Sequence, residues 1–145
     1  NYRVFVLVGN GECNEGSVWE SSLFASYHKL DNLVVIIDHN QQQGLGKSSE
    51  IMDMEPFEEK WKAFNWATQE INGHNFSQIK ESLSRVPFEK GKPTVIIAHT
   101  LKGRGVSFMT DSVAWHYKNP NEEQYKQALK ELESKPQKRQ QTSNV

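Results

Sequence analysis

This sequence is short of long apolar runs. Its longest ones, such as Val34-Val-Ile-Ile37, fall far below the ~20 residues that span a bilayer, so no transmembrane segment is expected. Cysteine is nearly absent: Cys13 stands alone, which excludes an internal disulfide and points to a reducing, cytoplasmic setting. An excess of either charge is also missing, with 17 basic against 18 acidic residues and a net charge of −1. The one basic block, Lys135-Pro-Gln-Lys-Arg139, sits in a polar tail, so neither nucleic acid nor a membrane is an expected partner. Neither an initiator Met nor a signal peptide precedes the first apolar run, and the expectation is a sequence that starts inside a larger domain. Internal repeats are absent.

The usual nucleotide signatures fail as well. Gly46-Lys47-Ser48 looks like the end of a Walker A loop, but the upstream glycine it requires is Gln41. Gly9-Asn-Gly11 lacks the third glycine of the dinucleotide fingerprint, since position 14 is Asn.

What the sequence does contain is alternation of strand and helix patterns. Residues 3–8, 33–37 and 94–98 are almost continuously apolar, as expected of strands covered on both faces. Residues 67–71 alternate and predict a weaker strand nearer an edge. Helical spacing of apolar residues predicts helices over 17–30, 56–64, 77–86 and 121–132. Strand–helix–strand units in this order predict an α/β fold, a parallel sheet with helices on both faces. A polar tail over 134–145 is expected to be disordered.

In such sheets ligands bind outside the carboxyl ends of the strands. The segments there read Gly9-Asn-Gly-Glu-Cys-Asn-Glu-Gly16, Asp38-His-Asn-Gln-Gln-Gln-Gly-Leu-Gly46 and His99-Thr-Leu-Lys-Gly-Arg-Gly105, all polar and glycine-bearing. Asn10 and Asn40 each follow a strand, one strand–helix–strand unit apart. Neighbouring strands lie about 4.8 Å apart, so both amide oxygens could reach one hard cation such as Mg²⁺, with phosphate and water completing its shell. Gly9 and Gly11 would let the backbone approach a diphosphate. Asn is also a common turn residue, and spacing alone leaves both readings open.

Taken together, Gly9-Asn-Gly-Glu12, Asn14-Glu-Gly16, Trp19-Glu20, Asp38-His-Asn40, Gly73-His74, Thr100-Leu-Lys-Gly-Arg-Gly-Val-Ser-Phe-Met109 and Trp115-His116 resemble the thiamine diphosphate motifs of the transketolase family. The likeness is greatest to the N-terminal subunit of transketolases split into two chains. It implies that 1–133 is a diphosphate-binding module, incomplete at its N-terminus. By resemblance Asn10, Asn40 and the backbone carbonyl of Gln42 would bind Mg²⁺, and Gly9, Gly11, Glu12, Asn40 and His116 would border thiamine diphosphate. His116 would also meet the reacting end of the substrate, and Glu15 and Glu20 would link active sites across a dimer interface. The implied reaction moves a two-carbon ketol unit between sugar phosphates. Its implied partner is a pyrimidine-binding C-terminal subunit, in a homodimer or heterotetramer. Alternatives are a 1-deoxyxylulose-5-phosphate synthase-like reaction and a cofactor-binding or regulatory module without catalysis.

Three positions depart from the family pattern: Asn10 replaces a metal-binding Asp, Tyr117 replaces a Gly, and Gln41-Gln-Gln43 replaces small or apolar residues. Several residues also carry structural readings. Ser17-Val-Trp-Glu20 matches a capping box, whereas Glu15 has no such cap role. His28 and His39 read as surface or turn residues, His99 as structural and Cys13 as inert. Trp61, Phe64 and Trp66 read as core.

Overall fold

A computed structural model of the chain describes residues 2–134. The expected tail at 134–145 lies outside them except for Ser134, which ends a helix. The chain divides into two compact units, Asn1–Leu101 and Lys102–Val145.

In chain order the first unit contains β1 (Val4–Gly9), a 3-10 turn (Glu12–Asn14), α1 (Gly16–Tyr27) and β2 (Leu33–His39). The short hairpin β3 (Gln42–Gln43) and β4 (Gly46–Lys47) leads to α2 (Ser48–Ile51) and α3 (Phe57–Ala63). Then come β5 (Ala67–Asn72), α4 (Phe76–Ser84) and β6 (Thr94–His99). The main sheet is parallel, in the order β1-β2-β6-β5. One face buries Val35, Ile37, Val95 and Ile97 against Phe57, Trp61 and Trp66, with Val18 and Trp19 of α1 packed alongside. The other buries Val34, Ile96, Ala98 and Ile71 against Ile79 and Leu83 of α4. Helices therefore cover both faces, as the alternating pattern predicts. The alternating strand at 67–71 becomes β5 and does occupy an edge.

β1 corrects an expectation. Its apolar run predicts cover on both faces, yet Val4, Phe5 and Val6 are exposed and Leu7 is 71% exposed. β1 is the other edge strand, bonded only to β2, and among the described residues little packs over it. An apolar run reports what a strand is made of, not which neighbour covers it.

The helix ends are set locally. α1 stops where Lys29 takes φ 53°: Lys29 N–H donates to Ser26 C=O and Leu30 N–H to Ala25 C=O, which returns Leu30 to the core. α3 ends the same way at Asn65 (φ 64°), with Trp66 N–H donating to Trp61 C=O and the Trp66 ring entering the core. Asn75 caps α4 by accepting from Ser77 and Gln78 N–H at 3.0 and 3.3 Å.

The second unit holds a loop, a 3-10 turn (Val113–His116) and α5 (Glu122–Ser134). Asn121 and Gln124 exchange side chain-to-backbone hydrogen bonds of 2.9 and 3.0 Å and so start α5 as a capping box. The Glu131 carboxylate accepts from the N–H and hydroxyl of Ser107, tying the loop to the helix.

Candidate functional site

Parallel strands bring their carboxyl ends to one edge, where the chain turns into loops. Register determines which residues meet there. Gly9 pairs with Asp38, Asn10 N–H donates to Asp38 C=O at 3.1 Å, and Thr100 N–H donates to His39 C=O at 3.2 Å. The segments after β1, β2 and β6 therefore lie along one edge.

Asn10 is 2% exposed. Its Nδ2 donates to Ser48 Oγ at 2.6 Å, and its buried Oδ1 has no hydrogen-bond partner among the described residues. Native proteins rarely leave such an atom unsatisfied, and an ion or water is one common reason when they do. At the end of β2, Asn40 Oδ1 accepts from Gln42 N–H at 2.9 Å and its Nδ2 donates to Asp38 Oδ2 at 3.3 Å. That short loop brings the Gln42 backbone, which is buried, into β3. Both asparagines thus hold their NH₂ ends on protein oxygens.

A pocket of ≈ 150 Å³ opens here, lined by Asn10, His39, Gln41, Lys47, Ser48 and Glu55 among others. Among the described residues no group of three or more His, Cys, Asp or Glu side chains could hold a metal. Asp38 is already engaged by the Thr100 hydroxyl and by Asn40. The pocket also carries the carboxylates of Asp53 and Glu55; the ligands expected from the sequence are neutral oxygens, the amides of Asn10 and Asn40 and the Gln42 backbone carbonyl. That set fits a hard cation that brings its own anions, as Mg²⁺ does with a diphosphate.

The glycines differ from one another. A Cβ at Gly9 would meet nothing within 4 Å, whereas one at Gly11 would lie 3.0 Å from Cγ of Gln43. The Gln43 side chain lies over Gly11, held by Asn14 Nδ2 donating to its Oε1 at 3.1 Å. The Glu12 carboxylate accepts from Gly9 N–H at 3.2 Å, closing the turn on itself.

Glu15 and Glu20 are both exposed. The capping box expected from Ser17 to Glu20 does not form. α1 begins earlier, at Gly16, with Glu15 at the N-cap position and no side-chain cap bond. Glu15 occupies the N-cap position but makes no side-chain cap bond, in line with the reading that it has no cap role. His116 belongs to the second unit, where it ends the 3-10 turn, is exposed, and has its ring 4.5 Å from that of Tyr117.

Residues 1–143 match the family model described as transketolase, thiamine diphosphate binding domain. The chain belongs to the transketolase family. It is 38% identical over 144 residues to an apulose-4-phosphate transketolase subunit of Phocaeicola vulgatus, covering 99% of this chain and 51% of that protein. It is 39% identical to the 6-deoxy-6-sulfo-D-fructose transketolase subunit SqwG of a Clostridium species, covering 90% of this chain and 47% of that one. The chain thus spans about half the length of these curated relatives. Among solved structures, transketolase from Campylobacter jejuni superposes with a TM-score of 0.85 at 28% identity, covering 92% of this chain and 21% of that one.

Two features of this transketolase domain escape the sequence reading. His39 is buried (6% exposed), not a surface or turn residue. The alternation of β2 runs past Ile37, burying residues 35, 37 and 39 in turn, and extending that period by one step would have found it. Its Nδ1 lies 3.2 Å from that of His99, while the Nε2 atoms face Glu55 and Glu70 at 3.4 and 3.3 Å. Burial, then the neighbouring His99, lower the pKa of His39 against the opposing pull of Glu55. The second is Ser48, which the failed Walker comparison passes over and which holds Asn10. Cys13 behaves as expected: fully buried, its thiol is pushed up to about 12 by burial and then by Glu12. No helix among the described residues is long and apolar enough to cross a membrane.

Proposed function

We propose that this chain is the thiamine diphosphate- and Mg²⁺-dependent subunit of a split transketolase, working with a separate pyrimidine-binding subunit. The observation that carries this reading is the buried, unpartnered Oδ1 of Asn10 at the end of β1, beside the strand that leads to Asn40. Asn10 and Asn40 give amide oxygens to the ion, and Gln42 gives its backbone carbonyl. Because these donors are neutral, the ion binds together with the diphosphate that supplies its charge. Gly9 leaves the backbone open to the diphosphate. Gln43, whose Cγ lies 3.0 Å from where a Cβ on Gly11 would sit, swings off to admit it. Glu12 borders the cofactor through the turn it closes on Gly9.

When bound, thiamine diphosphate supplies the nucleophilic carbon that carries a two-carbon ketol unit from one sugar to another. The chain anchors and orients the cofactor's tail. The family pattern assigns His116 to the reacting end of the substrate, and the exposed Glu15 and Glu20 to coupling active sites across a dimer interface. The relatives named for apulose-4-phosphate and 6-deoxy-6-sulfo-D-fructose favour sugars with an anionic end group. A cytoplasmic setting is in keeping with Cys13 as a free, buried thiol.

One observation favours a second reading, a module that binds cofactor without catalysis: position 10 carries no charge. Calorimetric titration of Mg²⁺ and thiamine diphosphate into the full-length chain with its partner, alongside a ketol-transfer assay, separates the two. Binding with turnover is the expected result; binding without turnover favours the module, and no binding by the assembled pair ends both readings.

A further inference from the structure

We infer that Ser48 is a positioning residue which makes Asn10 usable as a metal ligand, an inference that rests on the reading of Asn10 in the proposed function. A carboxylate presents an oxygen whichever way it turns. An amide does not: rotated by half a turn it aims NH₂, a donor carrying partial positive charge, at a cation. Replacing the family's Asp by Asn therefore creates a requirement that an aspartate never has, a device that fixes which end of the side chain faces the ion.

Ser48 supplies that device. Its hydroxyl oxygen accepts from Asn10 Nδ2 at 2.6 Å, and both residues are buried, at 2% and 8% exposure. Ser48 is itself held: its backbone N–H donates to Gln41 C=O at 2.9 Å, and Gln41 takes the left-handed conformation (φ 60°) at the entrance of the β3–β4 hairpin. With the NH₂ end tethered, the Oδ1 end is left buried and without a partner. Buried amides usually have both ends satisfied, although Asn14 Oδ1 and Gln43 Nε2 nearby are also without a partner among the described residues. Ser48 touches neither cofactor nor substrate in this account; it acts through Asn10. It also ties the hairpin that carries Gln42, another proposed ligand, to the end of β1.

The test is a double-mutant cycle on the full-length chain assembled with its pyrimidine-binding partner. Mg²⁺ is titrated at saturating thiamine diphosphate, binding is followed by intrinsic tryptophan fluorescence, and thermal melting without metal reports folding. Ser48→Ala is expected to raise the Mg²⁺ half-saturation by about tenfold when residue 10 is Asn, the usual scale for loss of a partner that orients a metal ligand. In the Asn10→Asp background the same change is expected to shift it by less than about twofold, because a carboxylate needs no orienting. Ser48→Thr, which keeps the hydroxyl, is expected to retain the original affinity.

An equal loss in both backgrounds would make Ser48 merely structural and overturn the inference, as would no loss with Asn10 present. Asn10→Ala separates this failure from that of the underlying reading. If Asn10→Ala abolishes Mg²⁺ dependence while Ser48→Ala does nothing, only the role of Ser48 falls. If Asn10→Ala leaves Mg²⁺ dependence intact, position 10 is no ligand and both fall.

Discussion

Asparagine at position 10 keeps an oxygen at the end of β1 and removes a unit of charge. Asn10→Asp restores that charge and is expected to tighten Mg²⁺-dependent binding of thiamine diphosphate by roughly tenfold, since ligand charge count tunes such sites. Unchanged affinity in a calorimetric titration would count against position 10 as a ligand. Cys13 makes a second residue-scale prediction. Its Sγ lies 3.6 Å from Gly9 C=O and burial raises its pKa to about 12, so at pH 8 the folded thiol stays protonated and shielded. Iodoacetamide should leave native protein unlabelled and modify Cys13 only after unfolding in guanidinium, as read by mass spectrometry. Rapid labelling of the native chain would contradict its burial.

Elements were legible where chemistry repeats along the chain. Continuous apolar runs locate β1, β2 and β6, helical spacing locates α1, α3, α4 and α5, and the weak alternation at 67–71 locates β5 and marks it as an edge. Two kinds of information were not legible. The exposure of β1 depends on what covers it, and the Ser48–Asn10 bond joins residues 38 apart, through a hairpin whose strands are two residues each. Gly73 shows how one position ties elements together. A Cβ there would lie 2.5 Å from Cγ2 of Thr100 and 3.2 Å from His99 C=O, at the joined ends of β5 and β6. Gly73→Ala should cost about 1–3 kcal/mol by overpacking, measured by urea unfolding, and a neutral result would refute that tight approach.

Glu58 joins α3 to β5, accepting from Lys62 Nζ at 2.9 Å and Thr68 Oγ1 at 2.7 Å. The bond from Lys62, then that from Thr68, lowers its pKa. A depressed carboxylate contributes stability above its unfolded pKa and loses it as pH falls through the folded one. Glu58→Gln should therefore cost about 1 kcal/mol at pH 7, and the difference should close as pH drops below about 4. A gap that persists at low pH would show that the charge is not responsible.

The sequence spans about half the length of the apulose-4-phosphate and 6-deoxy-6-sulfo-D-fructose transketolase subunits it resembles, and the proposed chemistry needs a pyrimidine-binding subunit that complements it. Ketol transfer should thus be absent from this chain alone and appear on mixing with that subunit, Mg²⁺ and thiamine diphosphate. Turnover by the isolated chain would contradict the division of labour.

In the proposed site, neutral oxygens at the ends of β1 and β2 hold the ion bearing the cofactor's diphosphate. A crystal structure of the assembled subunits with Mn²⁺ and thiamine diphosphate, read by anomalous scattering, tests it most directly. One peak is expected at coordination distance from Asn10 Oδ1, Asn40 Oδ1 and the Gln42 carbonyl. A peak bound elsewhere, with the Asn10 amide turned away from it, would contradict it.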